Sequence, residues 1–522
     1  MHWVDVIAKD LLNKGKRHTI ASGTSISGQI HLGNAGDVII ADAIARAINE
    51  KGGSANIIWI MDDADALRST PPPIPKEFDK YLGMPVSSLP CPSSCCSSFV
   101  EHFTKPFVGS LTNLGIKPEI HSDLELYKNG IYEPYIKVAI EKSRQLRGIF
   151  REVSGAEKPI DWLPFEAICE SCGKIATTRA YKFDGKNIIY KCIGGIAGKK
   201  KISGCGYEGA TSLRNGKLPW RIEWSARWKI FNVTCEPFGK EHSAAGGSYD
   251  TAKIITKEIY GYEPPYPVFY EHILVNGKKM SKSLGNIITT EELLECVEKP
   301  IIKYLFFRTL PTKHKDIDMK HRLLKLTEDY ERAERIYYDI EKCALEKEIE
   351  DIKRGYELAQ IAQPPEKFYQ LEYHHLVILA QIAKDFTSLL AILDRLGTKP
   401  SKEFEQKLEE RHKLALNWLL KYAPPQFKFE IQKTLPLVEL SSSQKEFLRK
   451  FAEEIEIIEW QPVQLHSKTH EVSKELGIDA KESFKALYKI LLNREEGPRM
   501  GYLLASLDRE FVTQRVKDAI EK

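Results

Sequence analysis

The sequence lacks long hydrophobic runs. None of its 522 residues belong to a stretch of about 18 or more apolar residues, which is the length that a membrane-spanning helix needs. The first five residues, Met-His-Trp-Val-Asp, contain no charged segment followed by an apolar one, so the pattern of a secretory signal peptide is missing. These absences predict a cytoplasmic protein with no membrane partner.

Charge of one sign is also scarce. A formal net charge of +4 is too small to indicate a nucleic-acid binder, so a polyanion would have to be met by local patches. The chain is far too long for a single core, and its length predicts about three or four domains. Ten cysteines in a cytoplasmic protein favour metal binding or burial over disulfides.

The first motif with a chemical meaning is His31-Leu32-Gly33-Asn34. An apolar stretch at residues 19–21 leads through a glycine-rich segment, 22–28, into a run with helical spacing. We therefore predict a strand, a glycine-rich turn and the start of a helix. Such a turn presents backbone N–H groups and the positive end of the helix dipole to an anion. The motif predicts a phosphate site with His31 at its entrance.

The second motif is Lys279-Met280-Ser281-Lys282-Ser283. It follows an apolar run at 273–275 and a turn at 276–277, so we expect both lysines on a mobile loop. Mobile lysines suit a charge that develops only in a transition state. A solvated surface explains either motif alone equally well, but it is a weak explanation for the two together.

Four cysteines in the middle of the chain have the spacing of a metal site. Cys169 and Cys172 are spaced as in a zinc knuckle, and Cys192 with Cys205 could complete a tetrahedral four-thiolate site. The alternative is a group of reduced cysteines without a metal.

A second group brings three thiols and one imidazole into twelve positions: Cys91, Cys95, Cys96 and His102. This composition matches a closed structural zinc site. Because adjacent ligands strain a small chelate, the alternative is that Cys95 or Cys96 is merely buried. The other three cysteines are isolated, and we expect small core residues at Cys235, Cys296 and Cys343.

In this order, with a nucleotide-type α/β fold between them, the two motifs resemble the signatures of class I aminoacyl-tRNA synthetases. The resemblance implies that the histidine motif binds the ATP phosphates and that the lysine loop closes on the departing pyrophosphate. It assigns catalytic roles to His31, Gly33, Asn34, Lys279 and Lys282. Asn34 stands where the family more often has histidine, and its amide can donate a hydrogen bond but carries no charge.

Charge in the side-chain pocket distinguishes the specificities of this family. Glutamyl relatives place an arginine in the first strand, whereas residues 19–24 here read Thr-Ile-Ala-Ser-Gly-Thr. Burying an unpaired substrate carboxylate there would be costly, which disfavours glutamate. Acidic residues at 62–65 and aromatic residues at 220–224 suit an ammonium group instead. The alternatives are a solvated loop at 62–65 and a buried helix or strand face for Trp220, Trp224 and Trp228, of which Trp220 is the favoured pocket residue.

Over almost its whole length the chain is most similar to the class I lysyl-tRNA synthetases. The shared segments lie within 22–23, 62–68, 220–228, 238–250 and 497–501. The resemblance implies that lysine is surrounded by Gly23, Thr24, Trp220, Glu223, His242 and Tyr270. It implies that ATP is held by Gly28, Gly246, Gly247, Asp250 and Ser281. Glu223 stands where many relatives have aspartate.

The implied function is ATP-dependent activation of L-lysine to lysyl-adenylate and its transfer to the 3′ end of tRNA-Lys. ATP would act with Mg²⁺, and one or two zinc ions would be structural. Such a reaction needs no side-chain nucleophile, because the rate comes from positioning and from stabilisation of phosphoryl charge. The alternatives are a glutamyl-type specificity and a catalytically silent tRNA-binding paralogue. We expect a monomer.

The expected fold class is α/β, with a Rossmann-type catalytic domain formed by residues 1–90 and 218–275. An inserted zinc-binding region at 91–217 would lie near the acceptor stem, as in the family. A lysine-loop and connecting helical domain would occupy 276–345, and a helical anticodon-binding region 346–522. The C-terminal half has helical spacing throughout, which indicates a helix bundle and an α-helix cage. We expect residues 497–501 to form a turn in that cage.

Overall fold

The computed structural model describes residues 1–282, 285–343 and 345–521. Packing divides the chain into two compact units. The first comprises residues 1–294, 299–318 and 339–364, and the second comprises 295–298, 319–338 and the residues from 365 onward. The helix Glu346–Ala359 lies within the first unit, so this division differs from the predicted boundary at 345–346.

The first unit contains a sheet of five parallel strands, which confirms the Rossmann-type α/β fold. Across the sheet their order is Tyr266–Tyr270, Val233–Gly239, Arg17–Ser25, Ser54–Asp62 and Glu119–Ser122. After Arg17–Ser25, the next two strands along the chain are added on one side of it, and the last two, from Val233–Gly239 onward, are added on its other side. Ligands of such sheets bind at this switch point, beyond the carboxyl ends of the strands. The strand Glu119–Ser122 shows that the catalytic sheet extends into the range predicted as an insertion.

The helix Leu32–Glu50 packs against the strands Arg17–Ser25 and Ser54–Asp62 and against the helix Trp3–Leu12. Because it is covered on several sides, small and aliphatic residues fill most of its length. Gly36 permits close approach of another helix, since a Cβ atom there would lie 2.7 Å from the ring of Phe306. The start of this helix is therefore held firmly at the end of the first strand.

The remaining elements of the first unit are helices and small sheets. The helices are Trp3–Leu12, Leu32–Glu50, Phe99–Asn113, Asp123–Lys128, Glu133–Glu141, Ser143–Ser154, Trp220–Ile230, Ser248–Glu258, Thr290–Leu294, Lys299–Phe307 and Glu346–Ala359. The small sheets pair Glu166–Ala167 with Gly216–Lys217, Asn187–Cys192 with Thr178–Phe183 and Glu208–Ser212, Gly195–Ala197 with Lys200–Ile202, and Ile273–Val275 with Lys278–Lys279 and Lys315–Asp316.

The second unit is helical, which confirms the prediction for the C-terminal half. Its helices are His321–Tyr337, Tyr373–Ile382, Phe386–Arg395, Lys402–Lys421, Ser442–Ile455, Pro462–Glu475, Ala480–Leu492, Met500–Ser506 and Arg509–Glu521. Among the described helices of the whole chain, none is by itself long and apolar enough to span a membrane. The pair Tyr373–Ile382 and Phe386–Arg395 reaches that length and composition only when the two are joined, and it is bent by 115°.

Candidate active site

His31 forms the N-cap of the helix Leu32–Glu50. The Gly33 N–H donates to the His31 Nδ1 atom at 3.1 Å, and the His31 N–H donates to the Asn34 Oδ1 atom at 3.3 Å. These reciprocal bonds form a capping box. Asn34 therefore fixes the helix start, a role that the sequence did not reveal. Gly33 leaves room for the imidazole, because a Cβ atom there would lie 2.8 Å from the ring.

The imidazole of His31 is neutral at pH 7. Burial lowers its pKa to about 4, and the charges of Lys282 and Lys279 act in the same direction. Because Nδ1 accepts a hydrogen bond, we assign the ring proton to Nε2. His31 can thus donate a neutral hydrogen bond to a phosphate oxygen at the positive end of the helix.

The two sequence motifs meet at Lys282. Its Nζ atom lies 3.3 Å from the Ser27 Oγ atom and 3.5 Å from the Gly28 carbonyl oxygen. Gly28 has a φ of +133°, a conformation that a side chain would strain. Burial lowers the pKa of Lys282 to about 8. The glycine turn and the second motif therefore form one site.

Lys279 lies in a hairpin, so the expectation that both lysines lie on a loop is wrong for this residue. The strands Ile273–Val275 and Lys278–Lys279 pair through a two-residue turn. Asn276 and Gly277 have φ values of +52° and +75°, as a type I′ turn requires. The Lys279 side chain is half exposed, and its Nζ atom lies 3.8 Å from the Glu241 Oε1 atom.

The Asn286 side chain forms hydrogen bonds to the backbone of the segment that carries the two lysines. Its Oδ1 atom accepts from the Ser281 N–H, and its Nδ2 atom donates to the Lys279 carbonyl oxygen, both at 2.9 Å. Sequence reasoning did not identify Asn286, because no local pattern marks a loop amide as a bridge. Ser283, the last residue of the motif, lies outside the described residues.

A cavity of about 300 Å³ opens at the carboxyl ends of four sheet strands. Its lining includes five residues predicted to surround lysine: Gly23, Thr24, Trp220, His242 and Tyr270. Asn34 of the histidine motif also lines it. Five acidic residues contribute as well: Asp37, Asp62, Asp65, Glu236 and Glu241. The structure therefore places an acidic, aromatic cavity beside the phosphate motifs.

Aromatic rings form one wall of this cavity. The rings of Trp220 and Trp224 stack with their centroids 5.1 Å apart, and His242 lies 5.9 Å from Trp220. Trp224 is also buried, with Phe238 against its edge at 5.2 Å. Trp228 has no exposed surface and does not line the cavity, so the alternative of a buried helix face is confirmed for this residue.

Glu223 is fully buried and does not line the cavity. Its Oε1 atom accepts from the Tyr127 hydroxyl at 2.7 Å. Its Oε2 atom lies 2.9 Å from the Lys217 Nζ atom and 3.0 Å from the Arg227 NH2 atom. Burial alone would lower the pKa of Lys217, but the carboxylates of Asp65 and Glu223 raise it well above its usual value. Protein groups thus already satisfy the Glu223 carboxylate.

Two other buried carboxyl groups reach the cavity and accept from neutral donors. Glu236 accepts from the Trp224 Nε1 atom at 3.1 Å and from the Trp228 Nε1 atom, and Asp37 accepts from the Tyr270 hydroxyl. Burial raises the pKa of Glu236 to about 7 and that of Asp37 well above its usual value. The one sequence signal for Glu236 was an acidic residue inside an apolar strand.

Gly246 and Gly247 lie at the start of the helix Ser248–Glu258, outside the lining of the cavity. The Gly246 N–H donates to the Asp250 Oδ2 atom at 3.1 Å. A Cβ atom would lie 2.6 Å from a backbone oxygen at Gly246 and 2.5 Å from one at Gly247. Neither position accepts a side chain, and the assignment of these residues to ATP stays a prediction.

The four cysteines Cys169, Cys172, Cys192 and Cys205 converge, with their sulfur atoms within 4.8 Å of one another. The Cys169–Cys205 and Cys172–Cys192 pairs are 3.6 and 3.8 Å apart. A disulfide would require about 2.05 Å. A tetrahedral ion with Zn–S bonds of about 2.3 Å separates its sulfur ligands by about 3.8 Å, so the donor set fits zinc.

The second predicted group, Cys91, Cys95, Cys96 and His102, also converges within 4.8 Å. The Cys95 sulfur lies 3.2 Å from the His102 Nδ1 atom, and the Cys96 sulfur lies 3.3 Å from that of Cys91. Both adjacent cysteines therefore face the same point.

The three isolated cysteines differ in burial. Cys235 and Cys296 are buried, as predicted, whereas Cys343 is only partly buried, so the expected core position is wrong for it. Cys343 precedes the helix Glu346–Ala359 and lies in neither a helix nor a strand, so it has no element face that packs into a core.

A family model described as "tRNA synthetases class I (K)" matches residues 1–362. The chain belongs to this family. The synthetase is 41% identical to a lysine–tRNA ligase of Methanosphaera stadtmanae, with 99% of each chain covered. It is 40% identical to a lysine–tRNA ligase of Archaeoglobus fulgidus, with 100% of each chain covered.

A solved glutamate tRNA ligase from Elizabethkingia meningosepticum, in complex with its amino acid, covers 97% of the synthetase and 99% of its own chain. The two are 13% identical with a TM-score of 0.39. The fold assignment of the synthetase therefore rests on its own strand order.

Proposed function

We propose that this synthetase is a lysine–tRNA ligase, which activates L-lysine with ATP and transfers it to the 3′ end of tRNA-Lys. The observation that carries the proposal is the acidic, aromatic cavity directly beside the point where Lys282 meets the glycine turn. An ammonium-bearing amino acid and a phosphate chain would thus lie side by side, as adenylate formation requires.

The phosphate side of the site needs positioning and charge, and no nucleophilic side chain. His31 and the N-terminus of the helix Leu32–Glu50 supply hydrogen-bond donors to phosphate oxygens. Lys279 and Lys282 supply positive charge where pyrophosphate departs. Mg²⁺, bound with ATP, would neutralise further phosphate charge.

Two arginines line the cavity, and both are unsuited to a substrate carboxylate. The Arg227 NH2 atom already lies within 3.0 Å of carboxylate oxygens of Asp62, Asp123 and Glu223. The Arg68 side chain is 63% exposed and pairs with Asp65 at 3.6 Å. Because these cations are neutralised or solvated, the cavity disfavours glutamate.

We propose that both cysteine groups hold structural zinc. Cys169, Cys172, Cys192 and Cys205 would bind one ion, and Cys91, Cys95, Cys96 and His102 the other. The sulfur distances given above support this assignment. Zinc ions closed by four protein ligands stabilise small, loop-rich regions that lack a large core.

We further propose that residues 91–217 contact the acceptor stem and that the second unit contacts the anticodon. Within the second unit, residues 497–499 border a cavity of about 650 Å³ together with His374, Phe427 and Tyr502. Aromatic rings and the Arg499 guanidinium are groups that stack on and bind unpaired bases.

Pyrophosphate exchange tests the proposal directly. Each standard amino acid is supplied in turn, with and without tRNA, and incorporation of labelled pyrophosphate into ATP is measured. We expect exchange with lysine and with none of the other amino acids. Exchange with glutamate that depends on tRNA would contradict the proposal, and no exchange with any amino acid would favour a silent tRNA-binding paralogue.

A further inference from the structure

We infer that Glu236 and Asp37, rather than Glu223, hold the ε-ammonium group of lysine. This inference rests on the proposed function and names the residues that determine its specificity. Both carboxyl groups line the cavity, whereas Glu223 does not.

Protein groups occupy the hydrogen-bonding positions of the Glu223 carboxylate that a substrate ammonium group would need. Its carboxylate faces Tyr127, Lys217 and Arg227 at 2.7, 2.9 and 3.0 Å, and no part of it is exposed. A substrate ammonium could reach it only by displacing Lys217, which is itself buried and lies 2.5 Å from the Asp65 Oδ1 atom. Removing one member of a buried ionic network leaves an uncompensated charge, so this exchange is unfavourable.

Glu236, in contrast to Glu223, accepts its hydrogen bonds from neutral groups. It lies on the strand Val233–Gly239, next to the switch point of the sheet, and its donors are the indole N–H groups of Trp224 and Trp228. Two neutral donors leave acceptor positions open on a carboxylate and do not balance its charge. Throughout the described part of the chain, no lysine, arginine or histidine forms an ion pair with Glu236.

Asp37 approaches the same space from the helix Leu32–Glu50. Its Oδ1 atom is held by the Tyr270 hydroxyl, and it too has no ion-pair partner among residues 1–282, 285–343 and 345–521. Burial and repulsion by the negative charge of Glu236, which lines the same cavity, raise the pKa of Asp37. A cation bound between them would remove this repulsion.

The cavity walls match the rest of a lysine side chain. Trp220, Trp224 and Phe238 contribute aromatic surface to the same cavity as Glu236. Four methylene groups pack well on such rings, and indole faces also attract the ammonium. A cavity that combines aromatic walls with two buried carboxyl groups, neither of them in an ion pair among the described residues, selects a long chain with a terminal positive charge.

The test compares lysine with norleucine, which is lysine without its ε-amino group. We measure kcat/KM for both amino acids in pyrophosphate exchange by the full-length wild type, Glu236→Gln, Asp37→Asn and Glu223→Gln. We expect the ratio of lysine to norleucine to fall at least 100-fold in Glu236→Gln and at least tenfold in Asp37→Asn. Glu223→Gln should keep the wild-type ratio, although it lowers the melting temperature.

The ratio separates binding from structural damage. A disturbed tryptophan wall would weaken lysine and norleucine alike and leave their ratio unchanged. An unchanged ratio in both Glu236→Gln and Asp37→Asn, or a collapse of the ratio in Glu223→Gln alone, overturns the inference. Wild-type enzyme that shows no lysine-dependent exchange instead contradicts the ligase proposal itself.

A crystal structure of the wild type with lysine provides a measurement that does not depend on the folding of any variant. The inference places the lysine Nζ atom within hydrogen-bond distance of the carboxylates of Glu236 and Asp37. An Nζ atom bound to Glu223 overturns it.

Discussion

Lys282 and His31 owe their electrostatic character to burial beside a glycine turn. Burial lowers the pKa of Lys282 to about 8 and that of His31 to about 4. Lys282 is therefore positively charged at neutral pH but close to losing its proton, whereas His31 is a neutral donor. The free site thus carries an adjustable charge that phosphate oxygens would stabilise.

Replacement of Lys282 tests its role in phosphate chemistry. We expect Lys282→Ala to reduce the rate of lysyl-adenylate formation at least tenfold, with the KM for lysine changed less than twofold, because its Nζ atom faces the glycine turn rather than the cavity. Pyrophosphate exchange at the wild-type rate would contradict this role.

The pH dependence of kcat/KM provides a second test of the role of Lys282. Since lysine is charged below its pKa, wild-type kcat/KM for ATP should fall as pH rises through about 8. Lys282→Arg keeps its charge throughout this range and should not show the fall. A wild-type profile that stays flat between pH 7 and 9 excludes Lys282 as the titrating group.

At the scale of elements, the parts of the site that follow local rules could be predicted. Residues 19–34 contain an apolar strand, glycines and a helix start in direct succession, and the structure has this order. The turn at Asn276–Gly277 was also predicted from its residues, whereas the strand pairing that makes it a hairpin was not. Pairing between distant side chains could not be predicted. Lys217 and Asp65, for example, are 152 positions apart. No local pattern therefore indicated that Glu223 is bound within a buried ionic network instead of facing the cavity.

Replacement of Asn286 tests whether its hydrogen bonds position the segment that carries Lys279 and Lys282. Asn286→Ala removes the hydrogen bonds to Ser281 and Lys279, each contributing about 1 kcal/mol. We expect kcat for adenylate formation to fall at least fivefold with little change in melting temperature. Asn286→Asp keeps the acceptor but loses the donor, so its kcat should be intermediate. Equal kcat values for all three proteins would show that this bridge does not position the loop.

At the scale of the whole molecule, the parallel sheet and the helical second unit were predictable, because both depend on periodicity over many residues. The limits of the two units were not. The segment 319–338 belongs to the second unit and 339–364 to the first, so the chain passes between them more than once. Whether a segment packs into the first or the second unit depends on tertiary contacts, which cannot be predicted from hydrophobic periodicity.

Metal content tests the two cysteine groups in the intact protein. We expect about two zinc ions per chain, from two closed four-ligand sites. Cys172→Ser and Cys96→Ser should each lose one ion and lower the melting temperature. Elemental analysis and thermal unfolding measure both effects. Cys235→Ser, which changes a buried cysteine outside both groups, should keep the full zinc content. A wild-type protein purified without chelator that contains no zinc would contradict both sites.

We propose that the phosphate site of this synthetase acts on lysine. The most direct measurement incubates the synthetase with ATP, total tRNA and all standard amino acids together, and identifies the aminoacyl-tRNA formed by mass spectrometry. We expect lysyl-tRNA as the single product, and its amount should fall at least tenfold in Lys282→Ala. Formation of glutamyl-tRNA, or of any other aminoacyl-tRNA in place of lysyl-tRNA, would contradict the proposal.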